Sequence, residues 1–69
     1  MTFGEAVLKL RSERRISQRQ LADELNVSFT SVNRWENGRP MPNKMTVLVI
    51  RQYCVNHGLD FSYDEEAGA

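Results

Sequence analysis

A short stretch of the chain, residues 28–34, carries hydroxyl, aromatic and guanidinium side chains at helical spacing. The residues that carry these side chains are Ser28, Phe29, Thr30, Ser31 and Arg34. An arginine fork can donate two parallel hydrogen bonds to guanine, a serine or threonine hydroxyl can reach a base edge or a phosphate, and a phenylalanine can contact a thymine methyl group. If Val32 and Trp35 face inward, helical spacing turns four of these side chains outward: Ser28, Phe29, Ser31 and Arg34.

The sequence offers no set of residues for catalysis or metal binding. One cysteine and one histidine, Cys54 and His57, cannot form a disulfide framework or a structural zinc site. We see no nucleophile with an adjacent base and no glycine-rich phosphate loop. His57 comes at the end of a predicted helix, where it interacts favourably with the helix dipole. We therefore expect a protein that is not an enzyme and that uses no metal or cofactor.

The charges are unevenly distributed along the chain. Nine basic and nine acidic residues give a formal net charge of zero. All nine Lys and Arg lie in residues 1–51 with only five acids, which gives 9 − 5 = +4, and residues 52–69 contain the other four acids, which gives −4. The net charge of zero argues against a nucleic-acid partner, whereas the charge of +4 on residues 1–51 favours one.

Every element that the pattern predicts is an α-helix that begins at a capping residue. The four predicted helices open at Thr2, Ser17, Ser28 and Asn43 and end near Arg14, Asn26, Gly38 and His57. The sequence thus predicts an all-α, compact four-helix fold over residues 1–62, with room for a turn or a fifth helical stub at residues 59–62. Residues 63–69 are acidic and small, and we expect a frayed tail there.

Residues 17–38, SQRQLADELNVSFTSVNRWENG, resemble the helix-turn-helix of the lambdoid phage repressor and Cro family, also called XRE-like. The similarity extends over about residues 2–57 and includes Phe3-Gly4 and Leu10-Arg11. Asn26 replaces the usual turn glycine, and the usual fifth helix is shortened to residues 59–62. The resemblance implies a lambda-repressor-like domain that binds double-stranded DNA.

The resemblance also implies roles for individual residues. The positions that match base-contacting residues are Ser28, Phe29, Thr30, Ser31 and Arg34. The positions that match phosphate-contacting residues are Gln18, Arg19, Asn37, Gly38 and Arg39. A structural ion pair between the first helix and the end of the third matches Arg11 and Glu36.

These observations predict a sequence-specific regulator of transcription, which we expect to act as a repressor by occupying an operator. Two alternatives stay open: a protein-interaction module that has lost DNA binding, and the DNA-targeting or antitoxin module of a larger system. The longest apolar run, residues 47–50, is far shorter than the ~20 residues of a membrane span, and no secretory signal is visible. We expect a cytoplasmic protein with no membrane partner.

The predicted fourth helix has more apolar residues than one core-facing stripe requires. One stripe contains Val47, Ile50 and Cys54, and a second contains Met45, Leu48 or Val49, and Tyr53. Either stripe can cover the core. The second is the candidate surface for a homodimer, unless it packs on Leu59 and Phe61 of the same chain.

Overall fold

The computed structural model describes residues 1–38 and 42–64, and within these ranges the regular structure is entirely helical. Helix α1 spans Phe3–Arg14, α2 spans Gln18–Leu25, α3 spans Phe29–Glu36 and α4 spans Lys44–Asn56. The predicted all-α, four-helix architecture is confirmed. None of the helices in the described ranges is long and apolar enough to cross a membrane.

Each helix begins at its predicted capping residue. The side chains of Thr2, Ser17, Ser28 and Asn43 each accept a hydrogen bond from the backbone amide three residues later. This bond satisfies an amide that has no partner within the helix. The ends of α1 and α2 are set by Arg15 and Asn26, which adopt the left-handed conformation with φ of 57° and 60°. Asparagine accepts this conformation readily, whereas the sequence did not indicate it for Arg15.

The buried side chains come from all four helices: Phe3, Ala6, Val7 and Leu10 of α1, Leu21, Ala22 and Leu25 of α2, Val32 and Trp35 of α3, and Ile50, Tyr53 and Cys54 of α4. Where α1 meets the end of α3, the two backbones touch. A Cβ atom on Gly4 would collide with the carbonyl oxygen of Trp35. The absence of a side chain at Gly4 therefore lets α1 and α3 approach this closely.

Residues 59–64 form no helix, so the predicted fifth helical stub is wrong. Phe61 and Tyr63 instead place their rings edge-on against Phe3, with centroid distances of 6.0 and 5.1 Å. Both rings therefore reach one apolar site on α1. Tyr63 thus packs against α1, and Asp64 accepts a hydrogen bond from the amino group of Met1 at 2.8 Å. These two residues therefore do not belong to the frayed tail that we expected from residue 63. Residues 65–69 lie outside the described ranges.

Helix α4 turns Tyr53 into the core, which corrects its predicted place on an outer apolar stripe. The Tyr53 side chain is only 9% exposed, and its hydroxyl donates a hydrogen bond to Glu24 at 2.6 Å. A buried tyrosine requires such a partner, and α2 supplies it. Met45, Leu48 and Val49 remain on the outside of α4, with exposed fractions of 70%, 60% and 44%.

Candidate nucleic-acid interface

Helices α2 and α3 are connected by a tight turn of three residues. Asn26 ends α2 in the left-handed conformation, and the amide of Val27 donates to the carbonyl oxygen of Ala22 at 2.9 Å. Ser28 then caps α3 with its hydroxyl, which accepts from the amide of Ser31 at 3.1 Å. The predicted segment 17–38 therefore folds as helix, turn and helix.

One side of α3 is anchored in the core and the other faces solvent. Val32 and Trp35 are 0% and 5% exposed. The predicted base-contacting residues occupy the other side and the N-terminal end, where Ser31 is half-buried and the exposed members are Ser28, Phe29, Thr30 and Arg34. The two serine hydroxyls lie 2.9 Å apart and bond to each other. Thr30 and Arg34 are exposed and make no side-chain hydrogen bond to another described residue.

The predicted phosphate-contacting residues lie at both ends of the helix-turn-helix. Gln18 and Arg19 form the first turn of α2, where backbone amides and the helix dipole favour anions. Asn37 and Gly38 follow α3 and are exposed. Arg39 lies outside the described residues.

The Gln18 side chain connects α2 to α3. Its amide nitrogen donates to Glu36 at 2.9 Å, and its oxygen accepts from the amide of Asn33 at 3.2 Å. Asn33 in turn accepts from Asn37 at 3.1 Å. The amide nitrogen of Gln18 carries two hydrogens, so its bond to Glu36 leaves one of them unused. The contacts hold the starting turn of α2 at a fixed distance from α3.

Sequence reasoning left the role of Asn33 undecided. It is a polar residue in the middle of a helix, and such residues are usually solvated. The only signal for a role was its spacing of four residues from Asn37, which places both amides on one face of the helix.

Arg11 and Glu36 join α1 to the end of α3 through two parallel hydrogen bonds. Nε and Nη2 of Arg11 donate to the two carboxylate oxygens of Glu36 at 2.8 and 2.9 Å. Burial raises the pKa of the Glu36 carboxyl, but the hydrogen bonds from Arg11 and Gln18 outweigh it, so the pKa is lowered overall. The Glu36 side chain is only 8% exposed and stays ionised at neutral pH.

A second carboxylate holds α2 against α1 and α4. Glu24 accepts hydrogen bonds from Tyr53 at 2.6 Å, from Arg14 at 2.8 Å and from Gln20 at 3.1 Å. These bonds, the one from Tyr53 first, lower the pKa of Glu24 to about 2. The orientation of α2 is therefore set by polar contacts on its outer edges as well as by the core.

Arg19 and Phe29 form a stacked pair at the point where the first turns of α2 and α3 meet. The guanidinium carbon of Arg19 lies 4.8 Å from the centroid of the Phe29 ring, a cation–π geometry. The Phe29 side chain is 38% exposed. The side chain predicted to touch a base and one predicted to touch a phosphate are thus in contact.

Comparison with known proteins connects this arrangement to a family. The family model described as helix-turn-helix matches residues 7–54. The HTH-type transcriptional activator BcrR of Enterococcus faecalis is 36% identical over 53 residues, which cover 77% of this chain and 26% of that protein. No solved structure gives a significant match.

Two yeast proteins are also similar. Multiprotein-bridging factor 1 of Candida glabrata is 34% identical over 44 residues, covering 64% of this chain and 29% of that protein. A putative multi-protein-binding factor 1 of Yarrowia lipolytica is 39% identical over 46 residues, covering 67% and 30%. This chain thus spans less than a third of each of these relatives. Because the family match contains α2, the turn and α3 and covers more than half of the chain, the protein belongs to the XRE-like helix-turn-helix family.

Proposed function

We propose that this chain is a sequence-specific double-stranded DNA-binding domain of a transcription regulator. The proposal rests on the placement of α3. Its residues Val32 and Trp35 are buried on one side of the helix, while Phe29, Thr30 and Arg34 are exposed on the other side. A helix presented in this way fits the major groove with its first turns. The transcriptional activator among the relatives supports a regulatory role.

The proposed contacts divide into base and phosphate contacts. Arg34 donates two hydrogen bonds to a guanine, Thr30 and Ser31 reach neighbouring base edges, and Ser28 and Phe29 meet the bases at the start of α3. The phosphate oxygens on either side are bound by Gln18, Arg19, Asn37, Gly38 and Arg39. These phosphate contacts fix the position of α3 on the duplex, while the base contacts select the sequence.

Selection of bound duplexes from a random library tests this proposal directly. We expect one preferred sequence, and we expect the logarithm of its affinity to fall linearly with the logarithm of salt concentration, by about 0.9 per phosphate neutralised. Failure to enrich any sequence, or an affinity that does not change with salt, would reject the proposal.

We further propose that the protein acts as a repressor by occupying an operator. The support is physical: a domain seated in the major groove excludes other proteins from the same duplex. A reporter gene carrying the selected site over its promoter should fall in expression when this chain is produced. An increase in expression would assign the chain the activating role that the BcrR relative has by name.

We propose a homodimer through the apolar patch of α4, defined as Met45, Leu48 and Val49. These side chains are exposed by 44% to 70%, and a shallow groove lined in part by Val49 and Leu25 adjoins them. Two copies would place two α3 helices about one DNA turn, ~34 Å, apart. Sedimentation at micromolar concentration should show a dimer that Leu48→Glu dissociates, and a wild-type monomer would reject the dimer.

A second candidate function is a protein-interaction module. It is favoured by the same apolar patch and by the yeast relatives, whose names describe factors that bridge or bind other proteins. The salt titration separates the two functions, because a module that has lost DNA binding would give no salt-dependent duplex affinity.

A further inference from the structure

Phe29 differs from every other aromatic side chain of the protein. The chain has three Phe, two Tyr and one Trp. Five of the six pack in the core or against it: Phe3, Trp35, Tyr53, Phe61 and Tyr63. Only Phe29 is exposed, and it lies at the first position of α3. Exposing this apolar surface in the free protein is unfavourable, so a contact made upon binding would recover the loss.

Arg19 covers one face of the Phe29 ring and makes no ion pair among the described residues. Its guanidinium carbon lies 4.8 Å from the ring centroid, and its donors have no hydrogen-bond or carboxylate partner in the described ranges. This stacking contact favours one placement of the guanidinium over the ring before any ligand arrives. A side chain ordered in advance loses less entropy when it binds.

We propose that Arg19 and Phe29 act as one contact that reads the 5-methyl group of a pyrimidine and holds a neighbouring phosphate. This inference rests on the proposed DNA binding and names the chemical group that is read. The exposed part of the Phe29 ring offers an apolar surface to the methyl group, and the rim of the Arg19 guanidinium offers its donors to the phosphate.

The ring has no hydrogen-bonding group, so it cannot distinguish thymine O4 from the cytosine amino group. The methyl group is what it detects, and 5-methylcytosine presents the same methyl group in the major groove as thymine does. Recognition at this position therefore separates thymine and 5-methylcytosine from uracil and unmodified cytosine. The consequence is an affinity that responds to cytosine methylation.

The test uses the duplex selected by the wild-type protein. Each thymine is replaced in turn by deoxyuridine, which removes only the methyl group. We expect one position in each bound site where this lowers wild-type affinity by about fourfold, the ratio that corresponds to burial of one methyl group. Phe29→Ala should bind the two duplexes equally well. Val55→Ala, which truncates an exposed apolar residue of α4, should keep the fourfold ratio.

The same position is then filled with cytosine or 5-methylcytosine, each paired with guanine. We expect the wild-type protein to bind the methylated duplex about fourfold more tightly and Phe29→Ala to show no preference. A double-mutant cycle with Arg19→Ala tests the coupling. Arg19→Ala should lower the duplex affinity of the wild-type protein and of the Phe29→Ala variant. We expect the factor in the wild type to be about two to five times larger, the range for an exposed cation–π pair. Lys9→Ala, an exposed cation of α1, should weaken both equally.

The possible results distinguish a failure of this inference from a failure of the proposed DNA binding. If no duplex is selected, both the proposed function and this inference are rejected. If a duplex is bound with the expected salt dependence but no methyl group distinguishes wild type from Phe29→Ala, the inference alone is rejected. Strictly additive effects of Arg19→Ala and Phe29→Ala would also reject it, because the two side chains would then act separately. Melting curves of each variant show that the fold is retained.

Discussion

At the scale of single residues, Gly4 fixes how closely α1 and α3 lie. Its Cα faces the backbone of Trp35 and Glu36, and a Cβ there would meet the Trp35 carbonyl oxygen and lie 3.4 Å from the Cα of Glu36. Backbone atoms cannot rotate away as a side chain can. The end of α3 is therefore positioned by a residue of α1 that has no side chain.

Gly4→Ala should destabilise the protein, because the added methyl group forces the two backbones apart. We expect a loss of about 1–3 kcal/mol in the free energy of unfolding, the usual range for overpacking. Urea unfolding measures it, with Ser12→Ala at an exposed position of α1 as the control. Equal midpoints for Gly4→Ala and Ser12→Ala would contradict the close approach.

Arg34→Ala should alter sequence preference as well as affinity. The loss of two hydrogen bonds to one guanine should weaken binding to the preferred duplex by about 1–3 kcal/mol. A repeated library selection with the variant should show relaxed choice at one base pair per site. A loss that is the same for all sequences would instead assign Arg34 to a phosphate.

At the scale of elements, the helix starts were predictable because caps are local. Thr2, Ser17, Ser28 and Asn43 act on amides within three residues, so the sequence alone identifies them. The links between helices depend on contacts distant in the chain. Asn33 gave no clear signal as a partner of Gln18. The sequence also did not show whether the stripe of α4 with Ile50 or the stripe with Tyr53 covers the core.

Glu24 connects three helices, and its ionisation should contribute to stability in a defined pH range. The pKa in the folded protein is about 2, below the ordinary value of 4.5. A lowered pKa means that the ionised carboxylate stabilises the fold above pH 4.5 and that this contribution disappears as the pH falls to about 2. The side chains of Glu24 and Arg14 are each partly open to solvent, so the effect is modest.

The measurement compares thermal midpoints of wild type and Glu24→Gln. We expect the wild type to melt at the higher temperature at pH 7 and the difference to shrink steadily between pH 4.5 and pH 2. A constant difference over this range would show that the carboxylate charge is not what holds α2 to Arg14 and Tyr53.

At the scale of the whole molecule, the segment of residues 59–64 completes the core from outside the helices. Phe61 and Tyr63 cover Phe3, and Arg51 of α4 stacks on both rings while it donates to the carbonyl oxygen of Phe61. The sequence suggested a helical turn here because related domains continue with a helix. Packing of Phe61 and Tyr63 on Phe3 favours a non-helical segment instead.

Phe61→Ala should destabilise the protein although residue 61 lies outside every helix. We expect about 2 kcal/mol, less than the ~3–5 kcal/mol of a fully buried phenylalanine, since Phe61 is half-buried. Val55→Ala, at a position that is 70% exposed, should change stability by less than about 0.5 kcal/mol. If both variants unfold at the same denaturant concentration, the segment contributes nothing to the core.

If α3 binds the major groove as proposed, its short length limits how many base pairs one copy can recognise. Eight residues extend over about 12 Å at ~1.5 Å per residue. Base pairs are stacked about 3.4 Å apart, so one such helix spans roughly four of them. A site of roughly four base pairs recurs by chance roughly once every 250 base pairs. These competing sites would bind most of a protein that acts as a monomer. Under the proposed function, binding to a unique site would therefore require a second recognition helix, supplied by another copy or by another part of a larger assembly.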